Sequence, residues 1–406
     1  MATPPLRIPW QPPTYSPWQE AAAVAAALIA AGHEAVFVGG CVRDHLLHQP
    51  CHDCDLATNA SPEQVEALFP RTIAVGKAFG VIIVLQDGCS IEVASFRHDE
   101  AYIDGRRPSG IRPGDEAGDM QRRDFTINAL VADPQKGEIR DHVGGLADLE
   151  QRTLRVVGDA EQRLREDRLR IFRALRFAAR FNLHIDAASN QALQQIQPSG
   201  LSRERIWDEW DKALATSDVR RWWELLTTYQ LLPHLLPIAD ISQNENISNA
   251  LATGPLTALN AQGLMLICCC KNYDSLSQWL KLEPISKDRR TALLALHRIH
   301  SSWLAQTAAA QRLRLAREPQ AAAAAEILRA LGEDRASADL FSCIAIEEQR
   351  GPMPKLLDGA DLKTAGVSPG PGFARILHRC EDAWLLGHIA DRAEALTQLP
   401  IWAAEA

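Results

Sequence analysis

Asp53-Cys54-Asp55 places two carboxylates two residues apart. On a strand, both would point to the same face. Two crowded carboxylates repel unless a cation lies between them. Mg²⁺ held by one or two carboxylates plus a substrate phosphate is the usual arrangement in nucleotide chemistry. Glu92 interrupts an otherwise apolar run beside Ile91 and Val93, where a carboxylate calls for a partner or a metal. Three such acids on neighbouring strands would suit two-metal phosphoryl transfer. Cys51 and Cys54 also have zinc-ligand spacing, but no second CxxC or HxxxH follows.

Val38-Gly39-Gly40-Cys41-Val42-Arg43-Asp44 supplies the matching phosphate chemistry. A Gly-Gly turn lets backbone approach a ligand closely, and N–H groups opening a helix face an anion. Arg43 would add a charged contact. On this segment alone, a tight turn with a surface ion pair is the favoured reading. Arg122-Arg123-Asp124-Phe125-Thr126-Ile127-Asn128-Ala129 is the next dense cluster. Asp124 is expected to cap a helix that carries Asn128 one turn on. Such a set would suit a ribose hydroxyl and a phosphate; a capped helix with exposed arginines is the plainer alternative.

Arg163 to Arg180 reads as one amphipathic helix with seven arginines against Glu166 and Asp167, a local net charge of +5. Leu164, Ile171, Leu175 and Ala178 lie on its packing side. Asp and Arg together on the other face match the edge of a single base, or are simply a solvated face tied by i,i+4 pairs such as Glu166–Arg170.

The elements that must position these groups fall into two textures. Ala35–Val38 and Val81–Leu85 read as buried strands. Asp87-Gly88 reads as a hairpin turn leading into Ile91–Phe96. Ser61 with Pro62 marks a capped helix to Phe69. Ala21–Ala31 reads as a buried helix stopped by Gly32; at eleven residues it is too short to span a membrane. From about Ala160 the chain reads helical, through Arg203–Leu214, Trp222–Tyr229, Arg289–Leu304, Ala321–Leu331 and Gly372–Gly387. Ile241–Asn249 and Pro352–Pro371 read as breaks.

The chain has 406 residues, 46% hydrophobic and 23% charged, which is globular composition. Its net charge of −8 argues against a sequence-independent polyanion binder unless positive charge is confined to a strip, for which Arg163–Arg180 is the candidate. Nine cysteines, three of them consecutive, make a poor disulfide framework and suit a reducing cytoplasm. The N-terminus carries one basic residue among five prolines and does not read as a secretory signal.

Together these motifs resemble the class II tRNA nucleotidyltransferase and bacterial poly(A) polymerase family, within the polymerase-beta-like nucleotidyltransferases. They are GGxVRD at Gly39–Asp44, DxD at Asp53–Asp55 with Glu92, RRDFTINA at Arg122–Ala129, DxxxGxxDL at Asp141–Leu149 and EDxxR at Glu166–Arg170. The last runs into Arg173–Phe181, and Ser202-Arg203-Glu204-Arg205-Ile206 looks like the helix start that follows. The match is nearly continuous over 35–215, then thin until Leu357–Leu377.

The resemblance implies an α/β (α+β) catalytic head over 16–150. A helical neck over 151–215, a body over 216–315 and a tail over 316–406 that binds tRNA would follow. It implies Mg²⁺ on Asp53 and Asp55, with Glu92 completing the acidic set. Gly40 and Arg43 would hold the triphosphate, and Arg123, Asp124 and Asn128 would lie near the ribose. Gly39 and Arg122 would belong to the same nucleotide-binding set. Asp167 and Arg170 would read the base, supported by Arg173 and Arg176. The implied reaction is template-independent addition of CCA to tRNA from CTP and ATP. His98–Gln121, with Tyr102–Pro108, fits the flexible loop of CCA- and A-adding members, whereas CC-adding members lack that loop. An A-adding enzyme or a poly(A) polymerase shares the motifs. A non-catalytic RNA-binding relative would have lost a metal carboxylate, and a small-molecule nucleotidyltransferase would not need the long helical extension. No His-Asp pair follows residue 215, so phosphohydrolase activity is not expected.

Overall fold

The computed structural model describes residues 4–99, 110–238, 240, 244–254, 256–305 and 308–405. Two compact units divide the chain, Met1–Leu231 and Leu232–Ala406. Among the described residues, no helix is long and apolar enough to cross a membrane.

The first unit is built on a mixed sheet. Its strands are β1 (Leu6–Pro9), β2 (Ala35–Val38), β3 (Asp55–Thr58), β4 (Thr72–Gly76), β5 (Val81–Gln86), β6 (Cys89–Ser95), β7 (Leu130–Asp133) and β8 (Glu138–Asp141). Their spatial order is β1-β8-β7-β2-β3-β6-β5-β4, antiparallel throughout except for the parallel pair β3–β6. Helix α1 (Trp18–Ala30) buries Trp18, Ala21, Val24, Ala25 and Leu28 at helical spacing against the sheet. Trp18 meets Phe37 of β2 with ring centroids 5.0 Å apart. The β5–β6 hairpin turns on Asp87 (φ 46°) and Gly88 (φ 87°), both left-handed, as a two-residue hairpin loop requires. Pro62–Leu68 begins with a complete capping box between Ser61 and Gln64.

Sheet register assembles the candidate site. Val38 pairs with Asp55, and Asp55 with Glu92. The Gly39-Gly40 turn, which opens α2 (Gly40–Leu46), therefore stands beside Asp55, with Glu92 one strand further on. Two details depart from the sequence expectation. β3 begins only at Asp55, so Asp53 sits in irregular backbone ahead of the strand. Glu92 is exposed while Ile91 and Val93 are buried, so it lies on the open face of a half-buried strand.

The arginine segment is two helices. They are α3 (Ala160–Glu166) and α4 (Leu169–Arg180), broken at Asp167, whose backbone is extended (φ −145°, ψ 102°). The Asp167 carboxylate accepts from Leu169 N and from Arg205, which fixes the break. Around Asn128 the expected capped α-helix is a single 3₁₀ turn, Thr126–Asn128, preceded by Phe125. Phe125 and Ile127 are fully buried, and burial at that spacing favours the tight turn over a continuing helix. Arg203–Thr216, now α5, and Val219–Thr228, now α6, both pack on α4.

The second unit is all helical. Ala258–Cys269 is apolar nearly all round and packs with Lys287–Leu304 and Ala321–Ala330. A Cβ on Gly263 would stand 2.7 Å from Leu296, so that residue sets a close helix crossing. Trp384, Leu385, Leu399 and Trp402 belong to a second core nearer the C-terminus. Asn244–Ala252 is helical, which corrects the loop expected over Ile241–Asn249. Ile247 and Ala250, three apart, are buried and give the segment a packing face despite its Asn and Ser content. Residues 241–243 lie outside the described residues. A short helix, Gly359–Thr364, also interrupts the break expected over Pro352–Pro371.

Gly145 holds the Thr126–Asn128 turn. A Cβ there would lie 2.2 Å from the Thr126 carbonyl oxygen. Gly145→Ala is expected to lower unfolding stability by about 2–3 kcal/mol in a urea titration. An unchanged midpoint would mean that the turn does not depend on this close approach.

Candidate active site

The acidic corner comes first. Asp55 is half-buried, and Asp53 and Glu92 are exposed. None of the three is in an ion pair among the described residues. Burial, then the Glu92 and Asp53 charges, push the Asp55 carboxyl up to about 6, although Arg123 pulls the other way. Among the described residues, no three His, Cys, Asp or Glu side chains form a ready metal cage. The donor chemistry still fits a divalent cation. Hard carboxylate oxygens carry surplus negative charge at an open position, and a substrate phosphate would supply further ligands.

Arg123 acts on the Asp55 charge and ties motifs together. Its Nη1 donates to the Asn128 carbonyl at 3.3 Å, and its Nη2 reaches Asp119 at 3.3 Å. A Cβ on Gly39 would lie 2.9 Å from Nη1, so the glycine leaves room for the guanidinium. Gly39 is left-handed (φ 76°), a second reason for glycine there. Arg123 Nε is buried with no hydrogen-bond partner among the described residues, a donor that a phosphate oxygen would suit. Arg122 instead points its guanidinium at Asp119, 2.6 and 2.9 Å away.

The arginines of α4 face carboxylates from distant sequence. Arg173 donates to Asp124 at 2.6 and 2.9 Å and lies 3.5 Å from Glu209. Burial opposes the Asp124 charge, but Arg173 and the Asn128 amide outweigh it and hold the carboxyl down to about 2. Arg176 donates to Glu209 at 2.6 Å and lies over the Phe177 ring. Arg180 reaches Asp44 at 3.2 Å. Arg43 is buried, donates to Asp44 and Asn128, and stacks against Phe177 and Phe181. Its Nη2 would stand 3.5 Å from a Cβ on Gly40, so it braces the glycine turn.

The pair expected to read a base flanks the α3–α4 break. Arg205 donates to Asp167 at 2.8 and 3.1 Å. Arg170 donates to the Arg163 carbonyl at 2.6 Å and to Glu166 at 3.2 Å. The +5 segment is therefore no basic strip. Carboxylates from α2, the Asp124 turn and α5 offset its charge, and Arg170 and Arg176 are buried. Sequence reasoning missed Arg205 and Glu209. Their i,i+4 spacing on one helix was the available signal, but their partners lie about thirty to forty residues away. Tyr102–Pro108 lies outside the described residues.

A model of the poly A polymerase head domain matches residues 35–155. A model described as the probable RNA and SrmB-binding site of polymerase A matches 182–241. The CCA-adding enzyme of Streptococcus mutans is 34% identical over 398 residues, covering 94% of this chain and 96% of its own. The chain belongs to the CCA-adding enzyme and poly(A) polymerase family. The solved structure of the Bacillus stearothermophilus CCA-adding enzyme, in complex with CTP, matches at TM-score 0.80 and 26% identity, covering 95% of this chain and 97% of that one. The Thermotoga maritima CCA-adding enzyme complexed with tRNA shares the fold at TM-score 0.66 and 19% identity, over 95% of each chain. As a CCA-adding enzyme and poly(A) polymerase family member, the chain is a nucleotidyltransferase, and the family's transfer chemistry uses a divalent metal.

The raised Asp55 carboxyl has two consequences. Its ionised form is disfavoured in the folded, metal-free protein, so its cost is absent below the ordinary value of 3.8 and complete above about 6. Asp55→Asn should raise metal-free stability by about 1–2 kcal/mol above pH 6, an amount discounted for partial exposure, and by nothing near pH 4. Wild-type incorporation should fall as pH drops through about 6 and recover with more metal. A pH profile indifferent to metal concentration would contradict the assignment.

Proposed function

We propose that this chain adds CCA to the 3′ end of tRNA from CTP and ATP, without a template, releasing pyrophosphate. The observation that carries the reading is the full-length likeness to a CCA-adding enzyme in a chain that carries all three acids at the centre of its sheet. Asp53 and Asp55 would hold Mg²⁺, which supplies charge neutralisation at the reacting phosphate. Glu92 completes the acidic set. The backbone of Gly39 and Gly40, with Arg123 Nε, faces the triphosphate, and Arg43 keeps that turn in place. Arg122, Asp124 and Asn128 border the ribose. Asp167 and Arg170 read the base edge, held by Arg205 and Glu166 and supported by Arg173 and Arg176.

The reaction follows from this placement. The terminal 3′-hydroxyl of the RNA gives its proton to the Asp55–Glu92 carboxylates. Its oxygen forms the new bond to the α-phosphorus, and the bond to pyrophosphate breaks in line. Residues 16–150 carry the chemistry and 151–215 the nucleotide choice. Residues 216–315 form a body, and 316–406 bind tRNA, largely by shape and phosphate contacts. The nine cysteines are free thiols, which suits a cytoplasmic site of action.

Transcripts lacking CCA, lacking only the final A, or complete should be offered CTP, ATP or both. The reading expects CTP and then ATP on the first, ATP alone on the second, and nothing on the third. Extension by ATP only, or a long adenosine ladder, would replace it with an A-adding or poly(A) activity. Asp55→Ala should lower incorporation at least a thousandfold with the fold retained. Arg170→Ala should lower CTP and ATP discrimination in single-turnover assays while tRNA affinity changes less than threefold. Intact discrimination would remove Arg170 from base reading.

A further inference from the structure

Cys51-His52-Asp53-Cys54 is a CxxC sequence wrapped around one of the proposed metal ligands. Its two thiols touch, with Sγ to Sγ at 3.7 Å. Cys51 Sγ also lies 3.3 Å from the Asp53 carbonyl oxygen, so the pair closes over the Asp53 backbone. Cys54 is 1% exposed and Cys51 8%, with exposed Pro50, His52 and Asp53 around it. The two ends differ in rigidity. Asp55, next to Cys54, enters a strand paired on both sides, whereas 49–54 is irregular backbone.

We propose that Cys51 and Cys54 form a peroxide-sensitive dithiol whose closure to a disulfide displaces Asp53 and stops nucleotidyl transfer. The effect on transfer rests on the function proposed above; the cross-link itself does not. The Cys51 sulfur, nearer solvent, attacks one peroxide oxygen and the O–O bond breaks, giving a sulfenic acid and one water. The Cys54 sulfur then attacks the Cys51 sulfur, and the hydroxyl leaves as a second water. Two thiols lose two electrons and two protons, and one hydrogen peroxide becomes two waters. Bonding requires the sulfurs to approach by roughly 1.7 Å, from 3.7 Å to a disulfide length. Cys54 adjoins Asp55, the first strand residue, so closure falls on Cys51 and the irregular backbone that carries Asp53. Metal ligands tolerate errors of only about 0.2 Å.

The experiment uses the full-length protein, reduced and then treated with hydrogen peroxide. Remaining thiols are alkylated, peptides are mapped by mass, and CTP incorporation is measured on the same samples. The expected result is a Cys51–Cys54 cross-linked peptide that rises in step with at least a tenfold loss of incorporation, both reversed by dithiothreitol. Cys51→Ser, or Cys51→Ala should the serine variant fold poorly, should match the reduced wild type and keep that activity in peroxide. A cross-link without loss of activity, a Cys41–Cys54 link in its place, or equal sensitivity of the Cys51 variants would overturn the proposal. Failure of the reduced protein to incorporate CTP would count against the function instead, while the peptide map would still decide whether the dithiol closes.

Discussion

Buried charge has to be matched by opposite charge, and that rule organises the catalytic unit. The Asp124–Arg173 pair shows it most plainly. A carboxylate from the turn after the sheet meets a guanidinium from α4, in bonds of 2.6 and 2.9 Å. Breaking such a pair from one side leaves an uncompensated charge and is far costlier than never having formed it. Glu209, Asp44 and Asn128 extend the pairing, and Phe177 and Phe181 cover the guanidinium faces. The helix that resembles an RNA-binding strip in sequence thereby becomes the brace that fixes the nucleotide-facing turn.

Against that background the acidic corner is the exception. Asp55 and Glu92 are register partners on parallel strands, with Asp53 close by and, among the described residues, no ion pair to relieve them. The fold tolerates the repulsion because two of the three acids are exposed. Surplus negative charge on the central strands, beside a glycine turn and a buried arginine N–H, is the arrangement a metal-bound triphosphate would complete. Instability and function share one origin here, as is common where catalytic groups are held against their own preferences.

Local chemistry made much of this legible in sequence. The Ser61 cap, the Asp87-Gly88 turn and the alternation along Ile91–Val93 are each decided by residues within a few positions. The motif residues Gly39, Arg123, Asn128 and Asp55 do converge, because sheet register and one tight turn bring them together. What stayed hidden was decided at a distance. Asp167 breaks a helix whose pattern runs straight through it, because Arg205, thirty-eight residues on, holds its carboxylate. The positive charge of Arg163–Arg180 was misread for the same reason, since Asp44, Asp124 and Glu209 all lie outside the segment. Ile247 and Ala250 were too few to announce a helix amid polar neighbours.

The central claim is that the acidic corner is left unpaired so that a divalent cation can complete it. Its most direct measurement is proton release when Mg²⁺ is added to the nucleotide-free enzyme in a weakly buffered solution at pH 6. Asp55, whose carboxyl is pushed up to about 6, should release a fraction of a proton per bound ion, and Asp55→Asn should release less. Binding of the ion with no proton released, or release unchanged in Asp55→Asn, would contradict the account.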